Sequence, residues 1–200
     1  LLPHCDPVSD LVVLLCVHPA SHGGYSCVAS STTIYNHILA EHPEALDVLY
    51  RGFQYDLRGQ GVTGDDTELT QNRIPVYSYF GGRLSCNFNA NLMGNRVKTE
   101  TIVPLTTEED AAVESMMAAA TDPAVRFDTR LETGDLLALN NRTMLHWRTA
   151  FEDAGPAEQN RLLMRLWLNM PAGRDLAPEF ADHYNTGARA GVAVRRDGDR

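Results

Sequence analysis

Two hundred residues, 44% hydrophobic and 22% charged, make one globular domain of ordinary composition, too apolar to read as a disordered chain. Acidic residues outnumber basic ones 26 to 17, and Lys98 is the only lysine, which argues against a nucleic-acid face, a Schiff-base lysine and a Walker-type phosphate loop. No apolar stretch approaches the ~20 residues of a membrane span. Cys5, Cys16, Cys27 and Cys86 form no Cys-x-x-Cys pair, so they are read as reduced thiols of a cytoplasmic protein rather than zinc ligands or staples.

In chain order, residues 11–17 form a continuous apolar run that predicts a strand buried on both faces. A Gly23-Gly24 turn and a short stretch at 26–29 follow. Ser30, Ser31 and Thr32 offer N-caps for a helix carrying Ile34, Ile38 and Leu39, and Pro43 closes it and opens a second. Residues 56–72 are polar, Gly-rich and aperiodic, the pattern of a lid or binding loop. The runs 74–80 and 83–89 flank Gly81-Gly82 as a hairpin, with Tyr77, Tyr79, Leu84, Cys86 and Phe88 on one face. Thr106-x-x-Glu109 is a capping box for an Ala/Met-rich helix that ends before Pro123. Strands are predicted at 125–131, 136–139, 142–149 and 161–168. Many short strands with helices inserted between them predict a mostly β architecture, best matched by a jelly roll. Residues 1–170 form its core and 171–200 a C-terminal extension with a frayed end.

Three sets of residues could carry chemistry. In extended chain His4 and Asp6 face one side and Cys5 the other, so an imidazole and a carboxylate converge. One distant imidazole would complete a 2-His-1-carboxylate triad with open positions, the arrangement of non-haem Fe(II) oxygenases. His146 lies on a strand whose other face carries Leu145 and Trp147, where a lone histidine among apolar neighbours is more commonly a hydrogen-bonded core residue. His18, His22, His37, His42 and His183 have no comparable placement. On the last strand Arg161, Arg165 and Trp167 share a face, with Leu162, Met164, Leu166 and Leu168 expected to pack behind them. Two arginines on one side of an apolar strand call for carboxylate partners, an anionic ligand or solvent.

In this order, His4-x-Asp6, Gly23-Gly24-Tyr25-Ser26, Asn141-Arg142-x-x-Leu145-His146-x-Arg148 and Arg161-x-x-x-Arg165 resemble the taurine dioxygenase-type branch of the Fe(II)/2-oxoglutarate oxygenases. The resemblance implies a double-stranded β-helix (jelly roll) that uses Fe(II), 2-oxoglutarate and O2. It implies that His4, Asp6 and His146 hold iron. Arg165 would clamp the distal carboxylate of 2-oxoglutarate, assisted by Ser26, with Arg161 near the other carboxylate. Family members carry a substantial segment before the His-x-Asp strand, including the first strand of the jelly roll. This sequence opens at that strand, so it is read as lacking its N-terminal part, with an exposed sheet edge as the expected consequence.

The function implied is hydroxylation of a small organic substrate with release of succinate and CO2; desaturation or cyclisation would use the same residues. Asp6 argues against halogenation, which needs the carboxylate position for halide. Loop 56–72 and the Gly81-Gly82 hairpin are expected to close over the iron. Arg148 is the expected polar substrate contact, with Tyr77, Tyr79 and Arg83 as further lining. The expected partner is a small molecule, with no nucleic acid and no membrane, and a homo-oligomer is left open. Two rivals remain: a non-catalytic jelly roll that recognises a small anion, and a cupin-like metalloenzyme that needs no oxoacid. The arginine pair favours the oxygenase.

Overall fold

In the computed structural model, which describes residues 1–94 and 104–192, the first strands are β1 (Leu11–His18), β2 (His22–Gly23) and β3 (Ser26–Ser30). The helices α1 (Ser31–Glu41) and α2 (Pro43–Arg51) precede the hairpin β4 (Tyr77–Phe80) and β5 (Arg83–Cys86). Helix α3 (Thr107–Thr121) leads to β6 (Arg126–Thr129), β7 (Leu136–Asn140), β8 (Met144–Arg148), β9 (Phe151–Glu152), β10 (Leu162–Leu168) and the short α4 (Pro178–Ala181). The chain is therefore mostly β with inserted helices.

Two three-stranded antiparallel sheets carry the architecture. In one, β1 lies between β10 and β7; in the other, β3 lies between β6 and β8. The caps fall where small polar side chains can take up free backbone N–H groups. The Ser30 hydroxyl accepts from Thr33 N–H, and Thr106 and Glu109 form a reciprocal capping box at α3. The predicted hairpin forms with Tyr77 opposite Cys86 and Tyr79 opposite Leu84. The three long helices pack on one another and on a core that includes Ile34, Ile38, Leu49, Phe53, Met116 and Leu145. All four cysteines are free and buried, and no described helix is long and apolar enough to cross a membrane.

The leucine side of β10 departs from expectation. Leu162, Met164, Leu166 and Leu168 are 50%, 55%, 54% and 42% exposed. By register Met164 and Leu166 share a face with Leu15 and Val13 of β1 and with Leu136 and Ala138 of β7, and Leu136 is also exposed. Alternation predicted the two faces correctly, but β10 is an edge strand here and no described element covers that side. For the same reason β1 is half-buried at several positions rather than enclosed on both faces. The frayed-end expectation for the last residues falls on 193–200, outside the described residues.

Candidate metal centre and its cavity

The start of the chain is stitched to β8 by a reciprocal backbone pair. His4 N–H donates to His146 O at 3.1 Å and His146 N–H to His4 O at 2.8 Å. On its other side His4 bridges Asn89, and Cys5 N–H donates to Phe88 O at 2.7 Å. Directly opposed residues of an antiparallel pair share a face, so Asn89, His4 and His146 form one row. Continuing the register sets Asn87 opposite Asp6. Cys5 turns the other way into the core, with Cys86 and Phe88.

His4, Asp6 and His146 are all buried, and each offers one ligand atom within 4.8 Å of the other two, a group that could hold a metal ion. His4 Nε2 lies 3.8 Å from Asp6 Oδ1, and His146 Nε2 lies 3.6 Å from Asp6 Oδ2. His4 Nδ1 lies 2.9 Å from Leu2 O, which orients the ring with Nε2 toward the carboxylate. His146 Nδ1 has no partner among the described residues. Burial lowers the pKa of both imidazoles, and His146, which also faces His4, is pushed down to about 4. Both rings are therefore neutral at pH 7, the state in which imidazole ligates a metal.

Asp6 is also gripped from β10. Trp167 Nε1 donates to Oδ2 at 2.7 Å, while Arg165 Nη1 lies 3.1 Å from Oδ1 and 3.5 Å from Oδ2. The Arg165 guanidinium stacks over the Trp167 ring at 4.9 Å. These residues open onto a cavity of about 710 Å³. Its remaining walls come from Tyr55 and the loop through Arg58 and Gln60, from Asn87 and Asn89, and from His183 and Tyr184 beyond α4.

One rung along from His146, in the opposite direction from Asn87, β3 and β8 pair Ser26 with Arg148. Ser26 is buried. The Arg148 and Arg161 guanidiniums both lie on the Phe151 ring, at 4.3 and 5.2 Å from its centroid. Neither has a salt-bridged carboxylate among the described residues. Partial burial and the neighbouring Arg148 charge both lower the Arg161 pKa, as expected of two partly buried cations held side by side. The Arg161 side chain crosses Gly24, where a Cβ would sit 3.1 Å from Nε. Gly24 has φ +68°, the left-handed region that favours glycine.

The other sequence candidates lie elsewhere. Tyr77 is a core residue whose hydroxyl donates to Ser31 O at 2.9 Å. Tyr79 is 68% exposed and Arg83 is also exposed, both near the turn of the hairpin. None of the three lines the cavity, nor does Arg148, whereas Asp56, Leu57, Arg58 and Gln60 do. Sequence reasoning missed Trp167 as an Asp6 partner, although it had placed Trp167 on the Arg165 face. It also missed Asn87, Asn89, His183 and Tyr184, whose positions depend on contacts between distant segments.

A family model for taurine catabolism dioxygenase TauD, TfdA family, matches residues 2–167. The chain belongs to this family. FR-33289 synthase of Streptomyces rubellomurinus is 30% identical over 184 residues, which cover 91% of this chain and 53% of that protein. A uridine-5′-phosphate dioxygenase of Streptomyces sp is 29% identical over 164 residues, covering 80% of this chain and 56% of that protein. This TauD/TfdA-family chain thus spans about half the length of the curated relatives it matches. Its fold is similar to part of that of asparagine oxygenase, solved with Fe(II), 3-hydroxyasparagine and succinate (TM-score 0.63, 17% identity, 84% of this chain and 50% of that one). It is likewise similar to part of the non-haem iron oxygenase OrfP, solved with Fe and α-ketoglutaric acid (TM-score 0.56, 13% identity, 84% and 48%).

Proposed function

We propose that this chain is the core of an Fe(II)/2-oxoglutarate-dependent dioxygenase that hydroxylates a small organic substrate, and that its two main sheets are the halves of a double-stranded β-helix. The observation that carries the reading is a three-ligand face, His4, Asp6 and His146, with two guanidiniums lacking carboxylate partners close by. Iron and 2-oxoglutarate, when bound with O2, would supply the oxidation, with 2-oxoglutarate leaving as succinate and CO2.

The residues present fit both groups. Two neutral imidazoles and a carboxylate make a facial set with open positions. A single strand rung, about 6–7 Å for two residues, separates the His146 row from the Ser26–Arg148 row, about the reach of a five-carbon diacid held at one end near the metal. This geometry favours exchanging the roles expected of Arg161, just before β10, and Arg165, within it. Arg161, with Ser26 and Arg148, takes the distal carboxylate of 2-oxoglutarate, because it has no salt-bridged carboxylate among the described residues and lies at the far end. Arg165 serves the metal end, where it already sits on Asp6.

The substrate then occupies the other flank, against Asn87, Asn89 and Arg58. Asn89 Oδ1 is engaged by Asn91, so the carboxamides offer N–H donors, which suit a substrate carrying a carbonyl or oxyanion oxygen. His183 and Tyr184, from the extension beyond residue 170, also line the cavity, which supports a part for that segment in closing the site.

A small-anion binding protein makes no use of the His4–Asp6–His146 group, and a cupin-like enzyme that needs no oxoacid makes none of the paired guanidiniums. The test is succinate formation from 2-oxoglutarate by the full chain with Fe(II) in air. Succinate that requires added Fe(II) and is lost in His146→Ala supports the oxygenase. Iron-dependent activity retained in His146→Ala would refute the ligand assignment.

A further inference from the structure

His4 and Asp6 are fixed in two different ways. At His4 the backbone ladder does the work, through the reciprocal bonds with His146. At Asp6 the partner on this side is a side chain. Asn141 Oδ1 accepts from Asp6 N–H at 2.9 Å, and Asn141 Nδ2 donates to Asp6 O at 2.6 Å and to Ser9 O at 2.9 Å. A carboxamide carries the same donor and acceptor as a peptide unit, so Asn141 stands in for the next rung of the ladder. It is 1% exposed, and its own N–H donates to Asp10 O at 2.9 Å. Five residues later the same segment delivers His146.

We propose that Asn141 is a positioning residue for the metal centre: by holding both backbone groups of Asp6 it sets the carboxylate's direction toward the two imidazoles. The proposal rests on the ligand reading above. An apolar side chain at 141 would leave one N–H and two carbonyls of the buried 6–9 turn without this partner, and the turn would relax. Asn141→Asp keeps the shape and the acceptor but loses the donor, and it aims a carboxylate at two carbonyl oxygens, so it should restore little. A purely structural residue would lower the stability of the metal-free fold without changing how tightly the folded protein binds metal.

The experiment titrates Mn(II) anaerobically into the full-length metal-free chain, well below its melting transition. It compares wild type, Asn141→Ala, Asn141→Asp and Asn141→Ser, with Tyr77→Phe as a control that loses a buried hydrogen bond outside this turn. The metal-induced rise in Tm is measured alongside, since a ligand stabilises the fold in proportion to the logarithm of its affinity. The expected result is a loss of Mn(II) affinity of at least about tenfold in Asn141→Ala and Asn141→Asp and a shrunken metal-induced Tm rise. Tyr77→Phe should lower the metal-free Tm but keep wild-type affinity. Undiminished affinity in folded Asn141→Ala, or failure of all three position-141 variants to fold, would overturn the proposal by making Asn141 a structural residue. Absence of Mn(II) binding by wild type would instead overturn the ligand reading.

Discussion

Arg165 and Asp6, 159 positions apart in sequence, meet with Arg165 Nη1 3.1 Å from Asp6 Oδ1. The carboxylate is buried while the arginine side chain remains half-exposed. A guanidinium seated on a carboxylate that a metal would share both competes for the oxygen and repels the cation. Removing it should therefore help the metal alone. Arg165→Ala is expected to bind Mn(II) as tightly as wild type or a few-fold more tightly in the absence of 2-oxoglutarate, measured by anaerobic titration. A tenfold loss would mean that Arg165 holds Asp6 in place rather than competing for it.

Part of the pH response of the metal-free fold comes, beside the contributions of His4 and His146, from His183. Burial and the facing Arg142 charge push its pKa down to about 3, so the native ring stays neutral. Between the ordinary histidine pKa of about 6.5 and that value, the unfolded chain takes up a proton that the native chain refuses. Stability at this site is complete above about pH 6.5 and declines as the pH falls, by at most about 1.4 kcal/mol per unit for one proton. His183→Gln should show a shallower fall in denaturant midpoint between pH 7 and pH 5 than wild type. Parallel curves would show that His183 is not held neutral.

The exposed side of β10 and the core should respond differently to substitution. Leu166→Gln, at a position 54% exposed, should change stability by roughly 0.5 kcal/mol or less. Leu145→Ala, at a position with no exposure, should cost roughly 2–5 kcal/mol through lost burial and the cavity left behind. Urea unfolding of both variants makes the comparison. A Leu166→Gln loss as large as that of Leu145→Ala would mean that the β10 face is covered in solution.

What could be read from sequence was set by local geometry. The period of two put His4 with Asp6 and turned Cys5 away, and it put Arg165 with Trp167, which the structure joins on one carboxylate. Ser30 and the Thr106–Glu109 pair marked helix starts because their side chains act within one turn. Depth was not legible. Tyr77 and Tyr79 share a hairpin face, yet the first is fully buried and the second 68% exposed, because the hairpin runs out of the body along its length. The far cavity walls, from Asp56, Leu57, Arg58 and Gln60 and from His183 and Tyr184, depend on segments more than a hundred residues apart meeting. Neither periodicity nor capping encodes that. Likewise, alternation gave Arg161 and Arg165 a common face but could not say which lies at the metal end.

That last distinction is the sharpest test of the account. 2-Oxoglutarate is titrated without oxygen into the Fe(II)-loaded full chain of wild type, Arg161→Ala and Arg165→Ala. A charge-assisted contact to a carboxylate in a partly dry pocket contributes roughly 1.5–3 kcal/mol, and about 1.4 kcal/mol is tenfold in affinity. Arg161→Ala is therefore expected to weaken 2-oxoglutarate binding by roughly tenfold to a hundredfold or more, and Arg165→Ala by distinctly less. Wild-type affinity in Arg161→Ala would contradict the account, because the unpaired guanidinium on Phe151 would then have no part in holding the cosubstrate.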